Sequence, residues 1–282
     1  MRINFRRKSM VHLTRGTVRM ICLDLDGTLF TPRKEISGRS RKAIKGCLDL
    51  GMEVVLVTGR PYLFAKGVAA SIDPRVDAIG YVGNYRRIQG VAQGTPISQE
   101  TALEILRLLQ REHVWMQAKT FHHVYGNSLN LIQPDYQKVT RHNPPEEQIE
   151  VHSWTRPLRQ IERSKEPVYK IIALGGLKIK KLNRLLAPIP GIKVYSYAKT
   201  NLEIASDQND KGTAIQAAAA QLGISLEQVL GVGDSLNDME MFNVCGIKAA
   251  MGNASSALKA QADLITDTNA QEGVAKLLES LL

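Results

Sequence analysis

The stretch DLDGTLF, residues 24–30, constrains this chain more than any other. It closes the first apolar run, Met20-Ile21-Cys22-Leu23, and sets Asp24 and Asp26 either side of one leucine. On an extended strand alternate side chains share a face, so the two carboxylates would point the same way. At ~4 Å and an effective dielectric of ~20, their repulsion is about 4 kcal/mol. A fold tolerates this when a cation lies between them, or when one carboxyl keeps its proton. Gly27 and Thr28 supply a tight turn with exposed backbone N–H groups, which suits an anion. The stretch reads as a metal-assisted anion site, against the plain alternative of two solvated carboxylates at a strand end.

Two further runs favour the first reading. EVVLVTGR, residues 53–60, is apolar up to the hydroxyl of Thr58, and VLGVGDSLND, residues 229–238, is apolar up to Asp234, with Asn237 and Asp238 one helical turn on. Strands this apolar are buried on both faces of a parallel sheet. Ligands of such sheets bind outside the carboxyl ends of the strands. Three runs that end in polar chemistry at one edge make one site. DKG, residues 210–212, brings Lys211 to the start of another helix.

The order of elements sets the fold class. Residues 39–50 carry Ala43, Ile44, Cys47 and Leu48 at helical spacing, with Gly51 as a stop. A strand at 53–57 follows, then Pro61 in the first turn of a helix, then a short strand at 77–82. This β-α-β-α-β order predicts a doubly wound, Rossmann-like α/β core with a parallel sheet. The texture changes over 85–207. A helix at 98–112, a proline-rich stretch between 134 and 167, a strand at 169–174, a helix at 178–186 and strands at 192–197 and 201–205 predict a separate α+β unit with a mixed sheet. The core resumes with a helix at 212–222, a capping box at 225–228, a strand at 229–232, a helix through Phe242 and a strand at 247–251. The expected organisation is a basic extension over 1–18, a core from 19–84 and 208–282, and an inserted domain over 85–207. The extension is either a mobile arm or a stretch upstream of the true start, since Met10 and Met20 are also available.

Charge distribution bears on partners. The net charge is +10, but residues 1–19 hold six bases and no acid, and residues 85–207 hold eighteen bases against eleven acids. The remainder, thirteen bases against sixteen acids, is net −3. A basic inserted domain steers small anions to an acidic site. Nucleic acid would call for a basic stripe with interleaved aromatics, and aromatics are only 5% here. No apolar run reaches the ~18–20 residues of a membrane helix, and no apolar region follows the basic N-terminus as in a secretory signal. Three cysteines with no CxxC argue against disulfides and thiolate metal sites, and for the cytoplasm. Oligomeric state is left open.

DLDGTL, VTGR, LEI…DKG and GVGDSLNDMEMF, in this order, resemble the four motifs of the haloacid-dehalogenase superfamily of phosphatases. The closing AAMGNASSALKAQADLITDTNAQEGVAKLLESL is similar to the tail of its Cof-type branch, which carries an α/β cap between the second and third motifs. The likeness covers residues 19–85 and 201–282. It implies a phosphatase that uses Mg²⁺ and an aspartyl-phosphate. Asp24 is the expected nucleophile. Asp26 is the general acid and then base, its pKa raised by its neighbour. The metal ligands are Asp24, the Asp26 main-chain carbonyl and Asp234, oriented by Asp238. Thr58, Gly59 and Lys211, with the N–H groups near Leu25 and Asp26 and the Asn237 amide, hold the phosphoryl oxygens.

Plainer roles stand beside these: a helix N-cap for Thr58, a surface lysine for Lys211, a solvated helix charge for Arg60. Cys22 reads as a buried strand residue. His122 and His123 look like a metal pair, but neighbours on a strand face opposite ways, so they read as cap surface or substrate rim. The chain departs from the Cof-type Asn-Gly at Asn84-Tyr85, where a tyrosine at positive φ would be strained. This predicts a rebuilt hinge, with Tyr85 and Arg86, beside Arg60 and Asn84, shaping substrate choice. The expected partner is a small phosphorylated metabolite, a sugar phosphate or similar cofactor phosphate, enclosed under the cap. A phosphomutase of the same superfamily and a phospho-accepting signalling or binding protein are the alternatives. Neither nucleic acid nor membrane is expected as a partner.

Overall fold

The computed structural model describes residues 16–127, 135–141, 143–153, 157–198 and 200–282. Most of the basic extension expected over 1–18 lies outside these residues. The elements in order are β1 (Met20–Leu23), α1 (Gly38–Asp49), β2 (Glu53–Val57), α2 (Tyr62–Ile72), β3 (Asp77–Gly80), β4 (Tyr85–Ile88), β5 (Val91–Gly94), α3 (Gln99–Arg111), β6 (Trp115–Lys119), β7 (His123–Gly126), α4 (Asp135–Thr140), β8 (Glu150–Ser153), α5 (Pro157–Ser164), β9 (Lys170–Leu174), α6 (Ile179–Leu186), β10 (Ile192–Ala198), β11 (Asn201–Ser206), α7 (Lys211–Gln221), β12 (Val229–Gly233), α8 (Met239–Val244), β13 (Ile247–Ala250), α9 (Ser256–Gln261), β14 (Leu264–Ile265) and α10 (Gly273–Glu279). Short 3₁₀ turns link several of them.

Two sheets organise the chain. The first runs β14-β13-β12-β1-β2-β3-β4-β5, parallel through β3 and antiparallel for the last two strands. β1 and β12 are buried at every residue, as expected of strands covered by helices on both faces. This is the expected doubly wound core. The second sheet runs β10-β11-β9-β6-β7-β8 and is antiparallel except for β7 beside β8.

In the second sheet, alternation divides the strands cleanly. Met116 and Ala118, Ile171 and Ala173, and Leu202 and Ile204 point into a separate apolar core with α3, α5 and α6. Gln117 and Lys119, Lys170 and Ile172, and Asn201 and Glu203 point the other way, over the end of the first sheet.

Three expectations need correction. Residues 85–94, expected in the inserted domain, form the β4–β5 hairpin on the first sheet, so the second unit starts beyond Gly94. The capping box at 225–228 is absent: Ser225 precedes a single 3₁₀ turn with no side-chain cap bond. Tyr85 is an ordinary strand residue, and the left-handed backbone falls earlier, at Tyr81 (φ 50°), Val82 (φ 60°) and Gly83 (φ 103°). Such φ values are costly for branched or bulky side chains. Here Tyr81 N–H donates to the Arg60 carbonyl and Val82 N–H to the Thr58 carbonyl, so the turn clamps the loop after β2.

Candidate active site

β1 pairs in parallel with β2 and with β12, and each strand is followed at once by a polar residue. Asp24, Thr58 and Asp234 therefore converge. After Asp24 the chain leaves the strand in a short π turn, Leu25–Leu29, with Gly27 at φ 86°. Asp26 is thus not related to Asp24 by strand alternation. A Cβ on Gly27 would overlap the Asp234 carboxylate, which is why the turn needs glycine.

Lys211, fully buried at the start of α7, donates to Asp24 Oδ1 at 2.6 Å and to Asp238 Oδ1 at 2.7 Å. Burial lowers its pKa, but the Asp238 and Asp24 charges outweigh that and hold it above the ordinary lysine value. The surface-lysine alternative is excluded. Asp238, also fully buried, uses its other oxygen to accept from the Asp234 and Ser235 N–H groups at 3.0 and 3.1 Å. Its geometry is that of a group that positions Lys211 and the Asp234 loop.

Asp24, Asp234 and Asp238 offer oxygens that all lie within 4.8 Å of one another. Burial and the nearby Asp238 raise the Asp24 carboxyl well above its usual range, with Lys211 opposing. The same two causes push Asp234 up to about 6, although Thr28 donates to it at 3.2 Å. Three carboxylates against one ammonium leave the pocket short of positive charge. A hard divalent cation with oxygen ligands fits that deficit.

Asp26 behaves opposite to expectation. Arg60 grips its carboxylate at both oxygens, Nε at 2.5 Å and Nη2 at 2.7 Å, and Lys34 adds a contact at 2.7 Å. Burial alone would raise its pKa, but these cations win and bring it down to about 2. Of the DxD pair it is Asp24, with no arginine beside it, that is pushed upward. Arg60 itself is 7% exposed and lies over the Phe64 ring at 4.5 Å and the Phe30 ring at 5.7 Å. It is a fixed part of the site wall rather than a solvated charge.

Thr58 is buried and accepts from Arg60 N–H at 3.2 Å; it does not cap α2, whose cap position is Pro61. The Gly59 carbonyl accepts from Lys170 at 2.9 Å. Leu25 is buried with its carbonyl tied to Phe30 N–H, and the Asn237 side-chain amide oxygen accepts from the Ser235 hydroxyl. Thr58, Gly59 and Asn237 all line a chamber of about 310 Å³ together with Asp24, Asp26 and Arg60.

Asn84, Tyr85 and Arg86 are not among the chamber's lining residues. The buried Asn84 amide reaches the Tyr81, Ser206 and Asn209 carbonyls and accepts from Thr95. Tyr85 sits in an aromatic cluster with Tyr62, Phe121 and Tyr169, and Arg86 bonds Gln93 across the β4–β5 hairpin. Asn84 and Tyr85 tie the two units together, Arg86 stays within the hairpin, and none of the three lines the chamber.

The chamber roof was missed in the sequence. Lys119 on β6 lies directly opposite Lys170 on β9, a like-charge pair of the kind that destabilises a sheet. Lys170 is paired with Glu203, and Lys119 donates to the Tyr136 hydroxyl at 2.8 Å. Burial brings Lys119 down to about 8 against the pull of Glu203, and lowers Lys170 as well. The polar–apolar alternation in MQAK and NLEI was the available signal. A second omission is the C-terminal tail, where Asn253 donates to the Gly27 carbonyl and Asn269 to the Phe30 carbonyl, both at 2.8 Å. Among the described residues no helix is long and apolar enough to cross a membrane.

The family model for haloacid dehalogenase-like hydrolases matches residues 21–278. The chain is similar to the 5-amino-6-(5-phospho-D-ribitylamino)uracil phosphatase YcsE of Bacillus subtilis, 30% identical over 262 residues, 93% of this chain and 94% of that protein. It is similar to the pyridoxal phosphate phosphatase YbhA of Escherichia coli, 26% identical over 288 residues, 94% of this chain and 99% of that one. Among solved structures, a haloacid dehalogenase-like hydrolase from B. subtilis superposes with a TM-score of 0.82 at 26% identity, covering 94% of this chain and 100% of the other. With the converging strand ends and the cap-like second sheet, these matches show that the chain belongs to the haloacid dehalogenase-like hydrolases, as a phosphatase of their Cof-type branch.

Proposed function

We propose that the chain is a Mg²⁺-dependent phosphatase of small phosphorylated metabolites that works through an aspartyl-phosphate. The observation that carries this reading is the buried Asp24–Lys211–Asp238 constellation, set beside Asp234 under a chamber of about 310 Å³. Asp24 attacks phosphorus, and Lys211 opposes its protonation and neutralises the phosphoryl oxygens. Thr58 and the backbone N–H groups after Asp24 hold the remaining oxygens. Asp24, the Asp26 main-chain carbonyl and Asp234 would hold the cation, which would offset the negative charge of nucleophile and substrate.

Asp26 donates a proton to the leaving alkoxide and later takes one from water. In the geometry seen here its carboxylate is locked by Arg60 and Lys34. It takes up the acid role after its side chain turns from these two cations and gains a proton from solvent, while Arg60 keeps its place in the wall. The paired lysines of the roof favour a second anionic or strongly polar group on the substrate. Glu203, Gln117 and Asn201 offer hydrogen bonds to hydroxyls. Sugar phosphates and cofactor phosphates of similar size meet these demands; phosphopeptides and polynucleotides exceed the chamber. The three cysteines are free and buried, in keeping with a cytoplasmic setting.

Phosphate release from a panel of sugar, cofactor and peptide phosphates tests the reading. Activity with Mg²⁺ on the small compounds, and inhibition by Ca²⁺, whose larger shell can take Asp24 in bidentate fashion, are the expected results. Preference for phosphopeptides, full activity in excess chelator, or isomerisation of a phosphosugar without phosphate release would overturn it.

A further inference from the structure

The second sheet carries another group of ligand-type side chains, remote in role from the catalytic edge. β7 and β8 run parallel with His123 opposite Glu150 and Tyr125 opposite His152. Strand alternation puts His123, Tyr125, Glu150 and His152 on one face. That face is the helix side, because Tyr125 joins the apolar core with α3 and α5 while Val124 and Val151 pack towards the first sheet. The chamber and this cluster therefore lie on opposite faces of the sheet. The sequence reading weighed His123 only against its chain neighbour His122, whereas the groups that meet it come from the adjacent strand.

The geometry is that of a cation site. His152 Nε2 lies 3.2 Å from Glu150 Oε2, and His123 Nε2 lies 3.7 Å from the same oxygen. Ligand atoms of all three residues fall within 4.8 Å of one another. Two donors on a tetrahedral Zn²⁺, each at ~2.0–2.1 Å, are about 3.4 Å apart, between the two observed distances. The His123 ring is also oriented as in metal centres. Its Nδ1 faces Glu166 Oε2 at 2.8 Å, and Glu166 in turn accepts from the Thr120 hydroxyl. A carboxylate can only accept, so Nδ1 carries the proton and Nε2 is turned to Glu150. This is the carboxylate–histidine arrangement that fixes a ligating tautomer. Tyr125 stacks on both imidazoles, at 5.4 and 5.5 Å, and limits their rotation.

We infer that His123, Glu150 and His152 form a second metal site, for a borderline transition-metal ion such as Zn²⁺, with the fourth position left to water. Two imidazoles and one carboxylate select such ions over Mg²⁺, which prefers oxygen ligands. The site would thus load independently of the catalytic cation. Its effect is structural: among the described residues β8 ends the second sheet and pairs with β7 alone, so an ion across the two strands pins that edge.

The test is titration of the full chain with Co²⁺ in a large excess of Mg²⁺, read by visible absorbance. The expected result is one equivalent of Co²⁺ with the intense bands of a four-coordinate ion. Affinity should fall at least tenfold in Glu150→Gln and in His152→Ala, and stay within threefold of wild type in Asp234→Asn. Glu150 is exposed, so its amide variant keeps the fold; far-UV circular dichroism verifies this for both. Absence of the bands overturns the site. So does Co²⁺ uptake that is indifferent to Glu150→Gln and His152→Ala, or that is lost with Asp234→Asn.

Discussion

Strands β1 and β12 hide every side chain and present their chemistry only at the residue just beyond the strand end. Strands β6, β9 and β11 instead alternate, one residue to the helices and the next to the chamber. The core thus places a few groups at one edge with high positional constraint, while the roof spreads polar groups across a face. Groups at the core edge bond one another: Lys211 holds two aspartates and Asp238 holds two backbone N–H groups. Roof lysines reach across to other elements, Lys119 to the Tyr136 hydroxyl and Lys170 to the Gly59 carbonyl. This division separates chemistry, which tolerates no displacement, from selection, which changes when one alternating residue is exchanged.

The sharpest way to break the comparison is at the core edge. Asp24→Asn should lower phosphate release by at least about a thousandfold, with the far-UV spectrum and thermal midpoint near wild type. Retention of activity within tenfold would mean that the edge does not supply the nucleophile. A roof variant should act by selection. Glu203→Gln should lower kcat/KM for the best metabolite about ten- to a hundredfold, and by much less on a minimal aryl phosphate. Equal losses on both would place Glu203 with the chemistry.

A smaller effect comes from pH. Lys119 sits at about 8 in the folded chain, below the ~10.4 of an exposed lysine. As pH rises through about 8 the ammonium is lost, so KM for a substrate with a second anionic group should rise about tenfold between one pH unit below and one above. Lys119→Arg should flatten that rise. The unfolded chain binds more protons between about 8 and 10.4, so the Lys119 contribution makes stability grow with pH across that window. The smallest effect concerns the joint between the units. Asn84→Ala removes a buried amide that serves three carbonyls and a hydroxyl, and should cost about 1–3 kcal/mol, read as a lower thermal midpoint with kcat within about threefold of wild type.

The same contrast explains what the sequence revealed. Apolar runs that end in Asp24, Thr58 and Asp234 announce buried parallel strands and a polar edge, so both core and edge were legible. The YRRIQGVAQG hairpin carries two arginines and two glycines and looks like loop; only its pairing with β3 makes it sheet. Lys119 and Lys170 are far apart in the chain, and only the β6–β9 register sets them side by side. The grip of Arg60 on Asp26 was not legible, because it is a fold contact that the strand pattern does not encode. Roof and joint depend on strand register and long-range pairing, which local periodicity does not report.

The way in and the way out of the second unit lie side by side. Asn209 donates to the Thr95 hydroxyl at 2.9 Å, and the Asn84 amide touches both segments. A unit whose two ends meet can be lifted out and the gap closed by a short turn with little strain on what is left behind. The seam between Thr95 and Asn209 is therefore a place for grafting. Roofs exchanged there between related chains would bring new preferences to an unaltered edge, and the edge alone, joined by a few residues, would be open to substrates too large for any lid.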